Sequence, residues 1–266
     1  MKAYVEKAKA DFEALVGASV KVVEDGGLKA PCAVEYAALH GRDVHVLRIN
    51  PQMVSDYAQY CVLTEAALRV CDVGGVKCVA TVVSSSAEKD AFSDMMLDDP
   101  VSARLISRFG AASFAGFVND VRTSIVTQCS NQVVEMLMND RAVHGSPEVV
   151  SDMKSTLREL AVAGAAMNRA DMLEMLPRQV VDAGRLMNLA FAMQASEICG
   201  ERFIDAYRPD EGEIDRALDL YGIYRKERDA VRSGGGVGAD VIRRCLDYLG
   251  LSKFAHIDMR PIGPKA

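Results

Sequence analysis

Tryptophan is absent from this 266-residue chain, and phenylalanine and tyrosine contribute only eight residues each. Half of the residues are nevertheless hydrophobic, so alanine, valine, leucine and thirteen methionines have to supply most of the core. Such a core favours packed helices, and methionine fills the irregular gaps between them. The composition is that of a globular protein with a sizeable core and excludes a disordered chain.

Long hydrophobic runs and blocks of positive charge are also missing. The longest apolar run, LAVAGAAM at 160–167, is far shorter than the roughly 20 residues that cross a bilayer. The net charge is −6 and no basic face emerges, which argues against nucleic acid as a partner. The opening stretch, MKAYVEKAKADFEAL, is a charged amphipathic helix without the apolar core of a signal peptide. We therefore expect a cytoplasmic protein with neither a membrane nor a nucleic-acid partner.

Metal-binding spacings are lacking as well. The seven cysteines are odd in number and form no C-x-x-C pair, and the four histidines form no H-x-x-x-H pair. A disulfide framework is not indicated, and free cysteines on apolar stripes usually behave as small hydrophobic residues. The sequence therefore predicts no metal site and no cofactor.

Short β-rich runs are present only near the start of the chain. A helix is predicted over 2–16, three β-rich runs follow within 18–50, and the turn at 40–43 makes the last two runs a hairpin. The run GVKCVATVV is a candidate for a fourth strand. Residues 1–86 thus form a small α/β portion.

Residues 87–266 are predicted to be wholly helical and to form one continuous structural unit with the first portion. Prolines and capping residues give the boundaries: a helix from Pro147 to about Met167, one from Pro177 to about Tyr207, a capping box at Asp210 and Glu213, and a last helix around 239–249. The glycine run SGGGVG before that last helix predicts a flexible break. The fold class is therefore α+β, with a small mixed β-sheet packed against a predominantly helical body.

The helix after the hairpin carries the most informative short pattern. Asn50 and Pro51 are typical of an N-cap and a first helical residue, so we predict a helix from Pro51 to Cys71. Within it, five positions read Thr64, Glu65, Ala66, Ala67 and Leu68. A zinc peptidase has H-E-x-x-H here, where two histidines bind zinc and the glutamate polarises water.

The order of helix, hairpin, the strand HVLRINP and then this helix resembles a zincin-like metallopeptidase domain. The stretches SPEVVSDMKSTLREL, LPRQVVDAGRLMNLAFAMQASEI and VIRRCLDYLGL are similar to helical extensions of such domains. The resemblance implies a zincin-like fold, and it carries over only Glu65 as a functional residue. Thr64 and Leu68 occupy the ligand positions without ligand chemistry, and no third ligand can be assigned. It therefore implies a degenerate relative without zinc or catalysis, a pseudoenzyme with a binding or regulatory role. An ordinary amphipathic core helix is an alternative explanation of the same five residues, 64–68.

Two further sets of residues are candidates for a site. Cys61, one turn before Glu65, would serve an enzyme with a non-metal site if its thiolate were reactive or the Glu65 carboxylate perturbed. Gln128, Asn131 and Glu135 follow one another at spacings of three and four, so they share one face of a predicted helix. That face is either a pocket wall or a solvated surface.

Three functions remain open from the sequence. The first is the inactive zincin-like binding protein, whose partner would be a protein or a small ligand. The second is an enzyme of unknown class with a non-metal site. The third is a helical interaction protein, which could form homo-oligomers through methionine-rich surfaces.

Overall fold

The computed structural model describes residues 2–166, 170–232 and 238–262. Within these ranges it confirms the α+β class, with two small sheets on a mainly helical body. The helices in these ranges are α1 (Ala3–Val16), α2 (Asp56–Arg69), α3 (Ser86–Asp98), α4 (Pro100–Phe109), α5 (Ala111–Gly145), α6 (Val150–Ala166), α7 (Ala170–Met175), α8 (Arg178–Cys199), α9 (Glu211–Arg232) and α10 (Gly238–Tyr248). In these same ranges, no helix combines the length and the apolar character that a bilayer crossing requires.

The first sheet contains the predicted hairpin. Its strands are β1 (Val20–Glu24), β2 (Cys32–Glu35) and β3 (His45–Ile49). Their order is β1-β3-β2, with β2 antiparallel and β1 parallel to the central β3. The sheet is therefore mixed, as expected.

The second sheet corrects the prediction of a wholly helical chain after residue 86. The predicted fourth strand is present as β5 (Val76–Val83), but β4 (Val70–Val73) precedes it and β6 (His256–Pro261) pairs with its other edge. Gly74 and Gly75 join β4 to β5 with φ of 61° and 84°, as a tight hairpin turn of this kind requires. The stretch HIDMRP has little strand character of its own. It becomes a strand because β5 offers an unpaired edge.

Helix α2 begins later and ends earlier than predicted. Asn50 caps only a short turn, in which its carbonyl accepts from the backbone of Val54 at 2.9 Å. The Ser55 hydroxyl then accepts from the Ala58 backbone at 3.0 Å, so the helix begins at Asp56. It ends at Arg69 because Val70 and Cys71 enter strand β4.

Among the other predicted helix boundaries, the end of α8 is wrong, whereas the start of α9 and the last helix are confirmed. Helix α8 does not reach Tyr207, since Gly200 at φ 73° ends it after Cys199. The capping box at the start of α9 is confirmed, with Glu213 donating its backbone N–H to Asp210 Oδ1 at 2.8 Å. The last helix, α10, is also confirmed, whereas residues 233–237 of the glycine run lie outside the described residues.

Helix α5 is the axis of the body. Its 35 residues extend over about 52 Å, and helices α2, α8, α9 and α10 pack against it. Val133, Val134, Met136 and Leu137 have no exposed surface. Because neighbours surround α5, its polar side chains come to lie in several different environments.

Candidate functional site

One face of α2 brings three of its functional groups together. Cys61, Glu65 and Arg69 follow at intervals of four residues, and all three are only partly exposed. Tyr57, one turn earlier on this face, lies next to Cys61. This face is turned towards helix α5.

Helix α5 supplies the opposite side. The Arg69 guanidinium donates to Ser130 Oγ and to Asn131 Oδ1, both at 2.9 Å. One turn further along, the half-buried Glu135 lies close enough to Glu65 for the two charges to interact. Cys61, Glu65, Arg69, Asn131 and Glu135 are named the α2–α5 cluster below. The structure thus brings together four of the seven residues that the sequence singled out, with Arg69 added.

The two carboxylates are poorly compensated. No described residue donates a hydrogen bond to either Glu65 or Glu135. Burial, and then the charge of Glu65, raises the pKa of Glu135 to about 7. Burial also raises the pKa of Glu65, while the Arg69 charge opposes that shift. Glu135 therefore retains a proton up to about neutral pH, and the charge of Glu65 contributes to that shift.

The thiols of this region are poor nucleophiles. Burial raises the pKa of Cys61 to about 12, although the neighbouring Tyr57 acts in the opposite direction. Burial and the Glu65 charge raise the pKa of Cys32, on the neighbouring strand β2, to about 11. Because the thiolate is the reactive form, neither cysteine is activated at neutral pH. The perturbed groups of the cluster are its carboxylates.

Thr64 and Leu68 do not belong to this cluster. Thr64 is 4% exposed and lies next to Tyr60, on the side of α2 that faces α1. Leu68 is 1% exposed, and its backbone carbonyl lies so close to Gly238 that a Cβ there would approach it to 2.6 Å. Leu68 is therefore a core residue. Thr64 lines a separate pocket.

Gln128 lies in a third place, at a cavity between α5, α7 and α8. Its amide Nε2 donates to Asn188 Oδ1 on α8 at 3.0 Å. The cavity, named the α8 cavity below, has a volume of about 350 Å³. Its lining is mostly apolar: Phe117, Val121, Ile125, Met172, Met175, Leu176, Val180, Val181 and Gly184, with Asp120, Ser124, Gln128, Arg185 and Asn188 as the polar members.

The sequence did not predict the roles of two residues of the α8 cavity, Asn188 and Gly184. Asn188 is an ordinary polar residue on a long helix, and Gly184 fits equally well as a small residue at a helix contact. In the structure, a Cβ at Gly184 would lie 3.6 Å from Ile125 Cδ1 and 3.9 Å from Gln128 Oε1, so the glycine leaves this part of the cavity open. Arg69 was also missed, although its position four residues after Glu65 was a usable signal.

No group of three or more histidine, cysteine, aspartate or glutamate side chains within the described ranges could hold a metal ion.

Comparison with protein-family models, with curated proteins and with solved structures found no match. The function has therefore to be inferred from the geometry of the α2–α5 cluster and the α8 cavity.

Proposed function

We propose that this protein binds a small, mainly apolar molecule in the α8 cavity and acts through that binding rather than through catalysis. The observation that carries the proposal is a cavity of about 350 Å³ with apolar walls and a small set of polar groups. Sites for small molecules and cofactors in proteins commonly have this size and this composition.

The walls of the cavity favour an apolar body in the ligand. Helices α5 and α8 contribute Val121, Ile125 and Val180, and the α7 region adds Met172 and Met175. Methionine is unbranched and polarisable, so it adjusts to apolar ligands of different shape. Selectivity therefore has to come from the polar members of the lining.

The amide pair Gln128 and Asn188 defines the polar end of the ligand. Their mutual hydrogen bond uses Gln128 Nε2 and Asn188 Oδ1. Among the described residues, Gln128 Oε1 and Asn188 Nδ2 have no partner. One acceptor and one donor therefore remain on this amide pair, and they match a group that itself donates and accepts, such as a carboxamide or an alcohol.

Arg185 does not offer a free positive charge to the ligand. Its guanidinium donates to Glu213 Oε2 at 2.8 Å and to the Tyr207 carbonyl at 3.1 Å. Asp120 contributes a negative charge to the lining. A neutral polar group thus fits the cavity better than a carboxylate does.

Ligand titration of matched variants tests the proposal. Hexanamide and hexanol are expected to bind the protein more tightly than hexanoate, as measured by chemical shifts of the methionine methyl groups. Gly184→Leu fills the space next to Ile125 and is expected to abolish binding. Gly184→Ala places only a Cβ at ordinary contact distance and is expected to retain it. The proposal fails if none of the three compounds binds, or if Gly184→Leu binds them as well as the natural chain does.

The proposal also includes the absence of metallopeptidase activity and a zincin-like origin for the β3–α2 region. Strand β3 followed by α2 with Glu65 supports such an origin, and the chemistry of Thr64 and Leu68 supports the loss of zinc. Elemental analysis of the purified protein tests the loss of zinc, because stoichiometric zinc would overturn that loss. The seven cysteines, none of which forms a disulfide, support our placing the protein in the reducing cytoplasm.

A further inference from the structure

A second, smaller pocket lies on the other side of α2, where α1, α2 and the end of α5 meet. It has a volume of about 190 Å³ and is named the α1 pocket. Ala8 and Ala67 leave the space open because their side chains are short. Unlike the α8 cavity, this pocket is lined largely by hydroxyl groups and charged side chains.

Three hydroxyl groups form the polar floor of the α1 pocket. Tyr60 and Thr64 are each 4% exposed, and Ser146 is 8% exposed. Tyr60 lies next to both of the others. A hydroxyl group can donate as well as accept, so this floor offers donors to a bound molecule.

Positive charge predominates around this floor. Among the described residues of the lining, Lys7 and Arg141 stand against the single acid Asp11, whereas acids outnumber Lys and Arg by 37 to 31 in the whole chain. Both cations keep donors available. Lys7 makes one long contact, at 3.4 Å, with the Gly145 carbonyl, and the nearest approach of Arg141 to Asp11 is 3.6 Å.

The remaining charged and titratable groups of the lining do not cancel this excess. His144 Nδ1 donates to the Asp140 carbonyl at 2.8 Å, which leaves Nε2 as the nitrogen available to the pocket. The hydroxyl of Tyr4 is directed to Asp152, at 3.5 Å. The carbonyl dipoles at the C-terminal end of α5 disfavour a bound anion. Lys7 offsets part of this effect, because its ammonium group already contacts the carbonyl of Gly145, the last residue of α5.

We infer that the α1 pocket binds a small organic oxyanion, with a phosphate or carboxylate group held by Arg141, Lys7 and the hydroxyl floor. Guanidinium and ammonium groups bind such oxygens through short, charge-assisted hydrogen bonds. The volume limits the ligand to the oxyanion and a short carbon chain. The α1 pocket shares no residue with the α8 cavity. An experiment can therefore contradict ligand binding at one of the two sites without contradicting it at the other.

Calorimetric titration at constant ionic strength tests this inference. Inorganic phosphate, glycerol 3-phosphate and succinate are the probes, and saturable one-to-one binding of at least one of them is expected. Tighter binding of glycerol 3-phosphate would identify a phosphate ligand, and tighter binding of succinate would identify a carboxylate ligand. Absence of saturable binding for all three would overturn the inference.

Four variants locate the binding in the pocket. Arg141→Gln is expected to weaken it about tenfold or more, and Thr64→Val, which keeps the shape of the side chain, is expected to weaken it several-fold. Lys7→Gln is compared with Lys9→Gln, which removes the same charge from α1 at a position outside the lining. Equal losses in these two variants would contradict a defined site.

Asp11→Asn separates ligand binding from a purely structural role of this region. The substitution removes the partner of Arg141 together with the one acid of the lining. A structural role predicts only a loss of stability. An oxyanion site predicts tighter binding, because the repulsion disappears and Arg141 is released. Unchanged or weaker binding by a folded Asp11→Asn variant would count against the inference.

Discussion

Glu65 and Glu135 combine partial burial with the absence of any described hydrogen-bond donor. Such surroundings disfavour the ionised form of a carboxylate and raise its pKa, and a second carboxylate nearby strengthens the effect. Arg69 offsets part of the charge of Glu65 but uses its NH1 and NH2 groups for Ser130 and Asn131. The cluster is therefore a place where the protein carries an electrostatic penalty at neutral pH.

The variant Glu135→Gln measures that penalty. Burial and Glu65 raise the pKa of Glu135 to about 7, from an ordinary value of 4.5. The folded state therefore holds more protons than the unfolded state between these values, and the stability of the natural chain falls as pH rises through this window. Glu135→Gln should be more stable than the natural chain at about pH 8, by about 1–3 kcal/mol, and close to it below about pH 4.5.

Urea unfolding across that pH range makes the measurement, with Glu6→Gln on the exposed side of α1 as the control. The control should show no such gain. A Glu135→Gln variant with the same stability difference at both ends of the range would contradict the titration. The companion variant Glu65→Gln should lower the pKa of Glu135, since the repelling charge is removed.

At the scale of single elements, helix ends are determined by contacts between residues close in sequence. The Ser85–Glu88 and Asp210–Glu213 boxes satisfy backbone donors that a helix start leaves free. Gly200 closes α8 in the same local manner. The sequence predicted Asn50 as the N-cap of α2, whereas the Ser55 hydroxyl caps the helix in the structure, so a local pattern can misplace a helix start.

The start of α9 gives an element-scale prediction. Asp210→Ala should destabilise the protein by about 1 kcal/mol, because the Glu213 backbone N–H loses its acceptor. Asp210→Ser is the matched control, since a serine hydroxyl can still cap, and it should recover most of the loss. Thermal unfolding of the two variants makes the comparison. Equal destabilisation would show that the capping bond contributes little.

On the scale of the whole molecule, the last strand connects distant parts of the chain. Strand β6 lies along β5, and the Ile262 N–H donates to the Lys77 carbonyl at 2.9 Å. Ile262 itself is 2% exposed. The second sheet therefore depends on residues far apart in sequence, and its formation requires the closure of a long loop.

Truncation of Ile262 tests how much this connection stabilises the fold. Ile262→Ala should lower the free energy of unfolding by about 2–4 kcal/mol, since it removes a fully buried side chain. Val76→Ala, at a position on β5 that is 47% exposed, should change it by less than about 0.5 kcal/mol. Denaturant unfolding measures both. A loss for Ile262→Ala no larger than that for Val76→Ala would mean that the strand contributes little to stability.

The sequence by itself determined the α+β class, the β2–β3 hairpin, the capping box of α9 and the existence of most helices. Each of these follows from hydrophobic pattern, turn residues or contacts between near neighbours. Spacing also placed Gln128, Asn131 and Glu135 on one face of a helix. Only the tertiary structure decided which elements that face contacts. Gln128 contacts α8, whereas Asn131 and Glu135 lie against α2. The physical reason is that helix periodicity is a local property, while burial, carboxylate pairing and cavities arise where elements distant in sequence pack together.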